Sequence, residues 1–285
     1  MKKALYLLLV VALASCEKPA TDDYEVSSDA NVQLRFTMTN SDYTRALAYN
    51  YFTKLNVQLF TAEGEKVFDK IKTQESEDDG FGELSLNLAA GDYWVVAVGH
   101  SSTRSATIKS TEAVQFTASD GEKLTDTFCH CSQITVGGDS RQYNLQMYRV
   151  GAMIQFCLKD DNFPENFSHF KMDYTGGSAN FNPQTLEGIT KSTQSEKRAT
   201  NGVHIYQAYT FPYLSATGTV KMTCTALDVE GNTIRQRVFE NVPVARNRIT
   251  TYTGPFFGEG DGEFVQTDFS FLIHADWDGE TKIDF

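Results

Sequence analysis

Leu86-Asn87-Leu88-Ala89-Ala90-Gly91-Asp92-Tyr93-Trp94-Val95-Val96-Ala97-Val98-Gly99 is the stretch on which the reading of the fold turns. Leu84, Leu86 and Leu88 alternate with polar residues, the period of a half-buried strand. Ala90-Gly91-Asp92 is a turn signal, and the run Tyr93 to Val98 is apolar at every position. A strand apolar on both sides belongs in the middle of a sheet that is covered on both faces. The same period of two recurs outward from it, at Val32, Leu34, Phe36 and Met38, and at Phe269, Phe271 and Ile273. Glu63-Gly64-Glu65, Asp120-Gly121-Glu122, Gly137-Gly138-Asp139 and Glu230-Gly231-Asn232 punctuate the chain between them. No long helical period appears. Many short strands at this turn spacing predict an all-β protein of antiparallel β-sandwiches.

Two such bodies fit the length. Gln142 to Gln146 reads as the closing strand of one sandwich. Val150 to Leu158, with Val150, Ala152, Ile154 and Phe156 on one face, reads as the opening strand of the next, which puts a boundary near Tyr148. So short a connection implies sandwiches stacked end to end with little freedom. The expected order is a lipoprotein signal peptide at 1–15, an acidic tether at 16–30, sandwiches at 31–148 and 149–258, and a C-terminal strand segment at 259–285. Gly258-Glu259-Gly260-Asp261-Gly262 marks the last break. Beyond it Phe264, Phe269, Phe271, Ile273 and Trp277 are too apolar for a disordered end, so this segment must be buried either against its own sandwich, the expected arrangement, or as a donor strand in a neighbouring subunit.

The N-terminus carries an address. Ala4 to Ala14 is too short to cross a bilayer, which takes about 20 apolar residues. Lys2 and Lys3, the apolar run and the small residues after it make a secretory signal. Leu13-Ala14-Ser15-Cys16 resembles the bacterial lipobox, in which the chain is cut before the cysteine and the thiol carries a lipid. Several acyl chains give a stable anchor, since each buried methylene contributes about 0.8 kcal/mol. Cys16 is therefore the expected lipidation site, and the polar residues after it, with Glu17, Asp22, Asp23 and Glu25, are the expected leash. They resemble the acidic export signal of surface lipoproteins of Bacteroidetes. Removal of Lys2 and Lys3 leaves 23 of the 25 basic residues against 37 acidic ones, a formal charge of −14. That charge repels phosphate backbones, so no nucleic-acid partner is expected.

Chemistry is sparse. Cys129, Cys131, Cys157 and Cys224 are even in number, and three disulfide pairings are open to them. Cys129 and Cys131 would share one face of a strand with His130 on the other, and no further ligands complete a zinc site. The carboxylates of His274-Ala275-Asp276-Trp277-Asp278-Gly279-Glu280 lack calcium-loop spacing. Neither a G-x-S-x-G elbow, an H-E-x-x-H pair nor a phosphate loop is present. The expectation is a protein with no catalytic residue, metal or cofactor. Twenty Phe and thirteen Tyr read mainly as core.

The order of features resembles the FimB-type fimbrial anchor family of Bacteroidales, lipoproteins of the type V pilus. The residues that carry the resemblance are the lipobox, Val32 to Phe36, Leu55 to Phe60, Leu86 to Gly99, Leu145-Gln146-Met147-Tyr148-Arg149-Val150-Gly151-Ala152, and Arg248 to Phe257. It implies two tandem transthyretin-like antiparallel β-sandwiches and an outer-membrane, surface-exposed protein that joins other fimbrial subunits by strand addition. Within that family reading two roles stay open. A base anchor keeps its lipid and the strand from Val32 to Met38, whereas a trypsin-like cut at Arg45-Ala46 would remove both and mature a shaft subunit. Two other classes are a surface glycan-binding lipoprotein, which needs exposed aromatic platforms, and a hydrolase with a site assembled from distant residues.

Overall fold

A computed structural model of the chain describes residues 30–38, 51–117, 124–258, 271–272 and 279–284. These residues hold twenty strands and no α-helix. The first nine are β1 (Val32–Met38), β2 (Lys54–Thr61), β3 (Lys72–Glu75), β4 (Glu83–Leu86), β5 (Gly91–His100), β6 (Ala106–Ser110), β7 (Ala113–Phe116), β8 (Thr127–Val136) and β9 (Arg141–Arg149). There follow β10 (Ala152–Leu158), β11 (His169–Ser178), β12 (Asn180–Asn182), β13 (Glu187–Gly188), β14 (Lys191–Ala199), β15 (Ile205–Thr210), β16 (Thr217–Leu227), β17 (Thr233–Ala245) and β18 (Arg248–Gly254). Last come β19 (Phe271–Leu272) and β20 (Gly279–Asp284).

They build two transthyretin-like β-sandwiches. In the first, the order β3-β2-β5-β8 makes one layer and β9-β1-β4 the other, joined where β8 meets β9. Leu34, Phe36, Leu59, Val95, Ala97 and Leu145 pack between them. In the second, β14-β11-β16-β17 faces β15-β10-β18-β20-β19 across a core that includes Ile154, Phe156, Met172, Cys224 and Tyr252. Gly64 (φ 90) and Gly231 (φ 89) sit in left-handed turns that a side chain would strain, where the sequence places turns.

The two sandwiches share one plan. β1 and β10 each pair antiparallel with one neighbour, β4 and β15, and parallel with the last strand, β9 and β18. The facing layers correspond strand for strand, β3-β2-β5-β8 with β14-β11-β16-β17. Parallel pairs need a long connection, which the intervening strands of each sandwich supply. Strand alternation does not reveal them, and with β18–β20 they are the parallel pairs among the described strands, beside one isolated parallel bridge at Gly188 and Tyr213.

Each copy also carries an inserted hairpin, β6-β7 in the first and β12-β13 in the second. The insertions pair with each other, Val114 opposite Phe181 and Gln115 opposite Asn180, so one four-stranded sheet crosses the junction. Beneath it lie Phe60, Val96, Val98, Ile108, Phe116, Val150, Phe181 and Phe211. This explains the opening stretch of sequence. Val95 and Ala97 of β5 face the sandwich core, while Val96 and Val98 face the junction, and all four are fully buried.

Candidate strand-exchange site

β1 is the element on which a joining function would act. Val32, Leu34 and Phe36 point inward and are 2%, 0% and 6% exposed, and Gln33 and Arg35 point outward. On one edge β1 runs parallel to β9 from Val32 opposite Arg141 to Met38 opposite Met147. Its other edge is antiparallel to β4 from Val32 opposite Leu86 to Arg35 opposite Glu83. Asn31 pins its start, donating from Nδ2 to the Leu88 carbonyl at 2.7 Å and accepting the Leu88 N–H at 2.9 Å. Arg35 forms an exposed ion pair with Glu83 at 3.1 Å. Three buried apolar side chains stabilise the strand by roughly 5–9 kcal/mol. Without β1 the sheet would hold an open slot between β9 and β4, lined by Leu84, Leu145 and Met147.

A second strand position distinguishes the two copies. In the second sandwich β20 lies parallel to β18, Arg248 opposite Gly279 through Thr253 opposite Asp284, and Ile283 enters the core. That places Gly279–Asp284 on the sheet of its own chain. In the first sandwich β9 pairs with β8 only at Phe128–Arg149 and Cys129–Tyr148; among the described residues no strand ladder continues along that edge from Arg141 to Met147, where β8 and β9 meet through the His130 ring at the Gln146 carbonyl and through the Tyr143 hydroxyl at the Thr135 carbonyl. A cleft of about 310 Å³ opens where β1 begins, lined by Asn31, Gln33, Ser85, Ser140, Arg141 and Gln142.

Cys16, the expected lipidation site, lies outside the described residues, as do Arg45 and the acidic residues from His274 to Asp278. Cys129 and Cys131 do share a face, turned to the junction, while His130 turns toward β9, its Nδ1 2.8 Å from the Gln146 carbonyl. Among the described residues no disulfide joins Cys129, Cys131, Cys157 and Cys224. Burial raises the Cys129 and Cys224 thiols well above their ordinary range and pushes Cys131 up to about 12, so these groups stay protonated near neutrality. No cluster of three His, Cys, Asp or Glu side chains among the described residues could hold a metal ion.

Comparison with known proteins adds the following. No curated protein matches the sequence. Among solved structures, a candidate polysaccharide-binding protein (DUF1812) of Bacteroides thetaiotaomicron VPI-5482 has a TM-score of 0.50 at 10% identity, covering 74% of this chain and 80% of that one. A candidate adhesin of the same strain has a TM-score of 0.49 at 15% identity, over 73% and 80% of the two chains. The fimbrial anchor protein Mfa2 of Porphyromonas gingivalis has a TM-score of 0.41 at 13% identity, over 72% and 80%. At such identities the first of these speaks for a shared fold alone. In sequence a family model fits residues 23–284, almost the whole chain, so the protein belongs to DUF6562, a family of unknown function.

Proposed function

We propose that this chain is a fimbrial subunit of the cell surface, held to the outer membrane by lipid on Cys16, and that it serves as the base anchor of a pilus. It joins neighbouring subunits by β-strand addition and carries out no catalysis. The observation that carries this reading is the short path from Cys16 to β1. Thirteen residues lie between Cys16 and Ala30, and the fourteen steps from one to the other reach roughly 45 Å at about 3.3 Å per residue. At its end the chain enters a strand hydrogen-bonded on both edges. A subunit matured by a cut at Arg45-Ala46 would shed β1 together with its lipid, and with it the side chains of Val32, Leu34 and Phe36. An anchor keeps both. The absence of a catalytic motif and the protonated state of the buried thiols support a binding role.

The N-terminus of the protein recovered from cells tests this. A chain beginning at acylated Cys16, with Cys16→Ser abolishing fatty-acid labelling, is the expected result. A chain beginning at Ala46 would make it a shaft or tip subunit, and labelling that survives in the serine variant would refute lipidation there.

A second reading, a surface glycan-binding lipoprotein, draws on one observation. The outer face of β4-β1-β9 carries Gln33, Gln142, Asn144 and Gln146, beside Tyr148 at 46% exposure, the one exposed aromatic side chain among the described residues. Loss of polysaccharide pull-down on Tyr148→Ala would favour it over the anchor.

A further inference from the structure

The junction between the sandwiches holds a run of buried polar residues that its packing does not require. β5 ends at His100, which is 1% exposed, and Ser102 and Arg104 beyond it are 1% and 2% exposed. The Ser102 N–H donates to His100 Nδ1 at 3.1 Å, and the Arg104 N–H donates to Ser102 Oγ at 3.0 Å. Arg104 then crosses into the second sandwich, where Nη1 donates to Gln194 Oε1 on β14 at 2.6 Å. The next inward residue of β14 is Glu196, 2% exposed, paired with Arg198 and reached by the Tyr174 hydroxyl at 3.4 Å. The His100 ring also meets Phe116 edge-on at 5.1 Å. The N–H of Phe116 donates to the Ala179 carbonyl at 3.3 Å, a backbone bond across the junction.

An imidazole that accepts at Nδ1 must carry its single proton on Nε2, 3.0 Å from Asn56 Nδ2, so the Asn56 amide is assigned with its oxygen turned to the ring and its nitrogen donating to Thr73 Oγ1. A second proton on Nδ1 replaces an acceptor with a donor. The Ser102 N–H then faces a like group, and the turn that seats Arg104 loses its first bond.

We propose that His100 is a proton-operated latch on the junction: the neutral ring holds the turn from His100 to Arg104 that seats Arg104 in the second sandwich, and protonation releases the turn and loosens the β7–β12 pairing. Burial first, and Lys54 across the sheet second, lower the His100 pKa from 6.5 to about 4. For a base depressed in this way, the stability it contributes is complete above 6.5 and is lost as pH falls from 6.5 toward 4. Lys54 is the charged group facing the ring from β2, and it is itself 3.7 Å from Glu75. Thr127 on β8 and Phe116 on β7, its other neighbours, are uncharged. Glu196 acts in the opposite sense. Burial, exceeding the pull of Arg198 and Arg104, raises its carboxyl, so its contribution grows as pH falls through the raised value toward 4.5. The Tyr174 phenol is raised well out of the range and does not titrate there.

The test is hydrogen exchange on the whole soluble chain from pH 7.5 to 4, with each rate divided by its intrinsic rate. Ser102 and Arg104 amides report the turn, Phe116 the junction and Val96 the sheet interior. The expected result is that Ser102, Arg104 and Phe116 lose protection together, approaching tenfold per pH unit below 6.5 and about 150-fold by pH 4, while Val96 does not. His100→Asn, whose Oδ1 accepts the Ser102 N–H without binding a proton, should flatten the profile. Loss of protection at Ser102 and Arg104 without Phe116 would overturn the latch, as would a flat wild-type profile or an unchanged slope in His100→Asn. If His100→Asn does not fold, the wild-type comparison of Phe116 with Val96 decides alone.

Discussion

Leu34→Ala separates the anchor from the cleaved subunit in a single measurement. Leu34 is 0% exposed at the centre of β1, opposite Leu84 on β4 and Tyr143 on β9. Truncation to alanine removes buried methyl groups from a site walled by two strands and the facing layer, so collapse is limited. Such substitutions cost about 2–5 kcal/mol, and this site belongs near 3. At roughly 2–4 °C per kcal/mol for a body of this size, the melting temperature falls by about 6–12 °C. The protein is expressed with its own leader in a host that processes lipoproteins, recovered from the outer membrane, and scanned by calorimetry beside wild type. Gln33→Ala, one residue away and outward-facing, is the control and stays within about 0.5 kcal/mol. A melting temperature unchanged by Leu34→Ala would mean that β1 is absent from the mature protein, refuting the anchor. A loss equal to that of Gln33→Ala with β1 present would refute the burial argument itself.

Further perturbations probe other parts of the molecule. Gly99→Ala places a Cβ 2.7 Å from the Phe52 ring, which is itself wedged against Phe81 and Phe128, and should cost about 1–3 kcal/mol by chemical denaturation. Arg149→Met strips the fork from Asp126, held at 2.9 Å, and the bond to Asn247 of the second sandwich at 2.8 Å. Depriving that partly buried carboxylate of its guanidinium should cost about 3 kcal/mol, while Arg149→Lys, which keeps the charge but loses the fork, should cost less. Deletion of residues 263–285 takes β20 off the β18 edge and Ile283 out of the core, and should lower the melting temperature of the monomer; an unchanged value would assign the segment to a neighbouring subunit.

Much of the fold was legible because sheet faces impose a period of two. β1 shows it plainly, and the unbroken apolar run of β5 registers two coverings, the sandwich core and the junction. Alternation says nothing about which strand lies alongside, so the parallel pairing of β1 with β9 and the meeting of the inserted hairpins were not legible. β14 was not legible for a different reason. Lys191-Ser192-Thr193-Gln194-Ser195-Glu196-Lys197-Arg198-Ala199 has no apolar face to mark it as a strand of the core. In the structure Gln194 and Glu196 are buried, because inward-pointing polar groups at a sheet edge are satisfied by Arg104, Arg198 and Tyr174 from elsewhere. Nothing local in sequence announces partners ninety residues away. For the candidate site the balance is reversed: the lipidation proposed at Cys16 is an expectation that only residue order carries, while the flanks of β1 could only be seen in three dimensions.

The direction of β1 has a mechanical consequence. Val32 lies beside Arg141 at the end of the first sandwich remote from the junction, and Met38 lies beside Met147 toward it. Tension between a membrane at the N-terminal end and a fibre beyond the second sandwich would therefore run along the strand axis. The hydrogen bonds to β9 and β4 lie across that axis, so they would be loaded in shear and must fail nearly together rather than one after another. With β1 gripped on both edges, the attachment would tend to yield at the lipid or at the next subunit before the strand slid free.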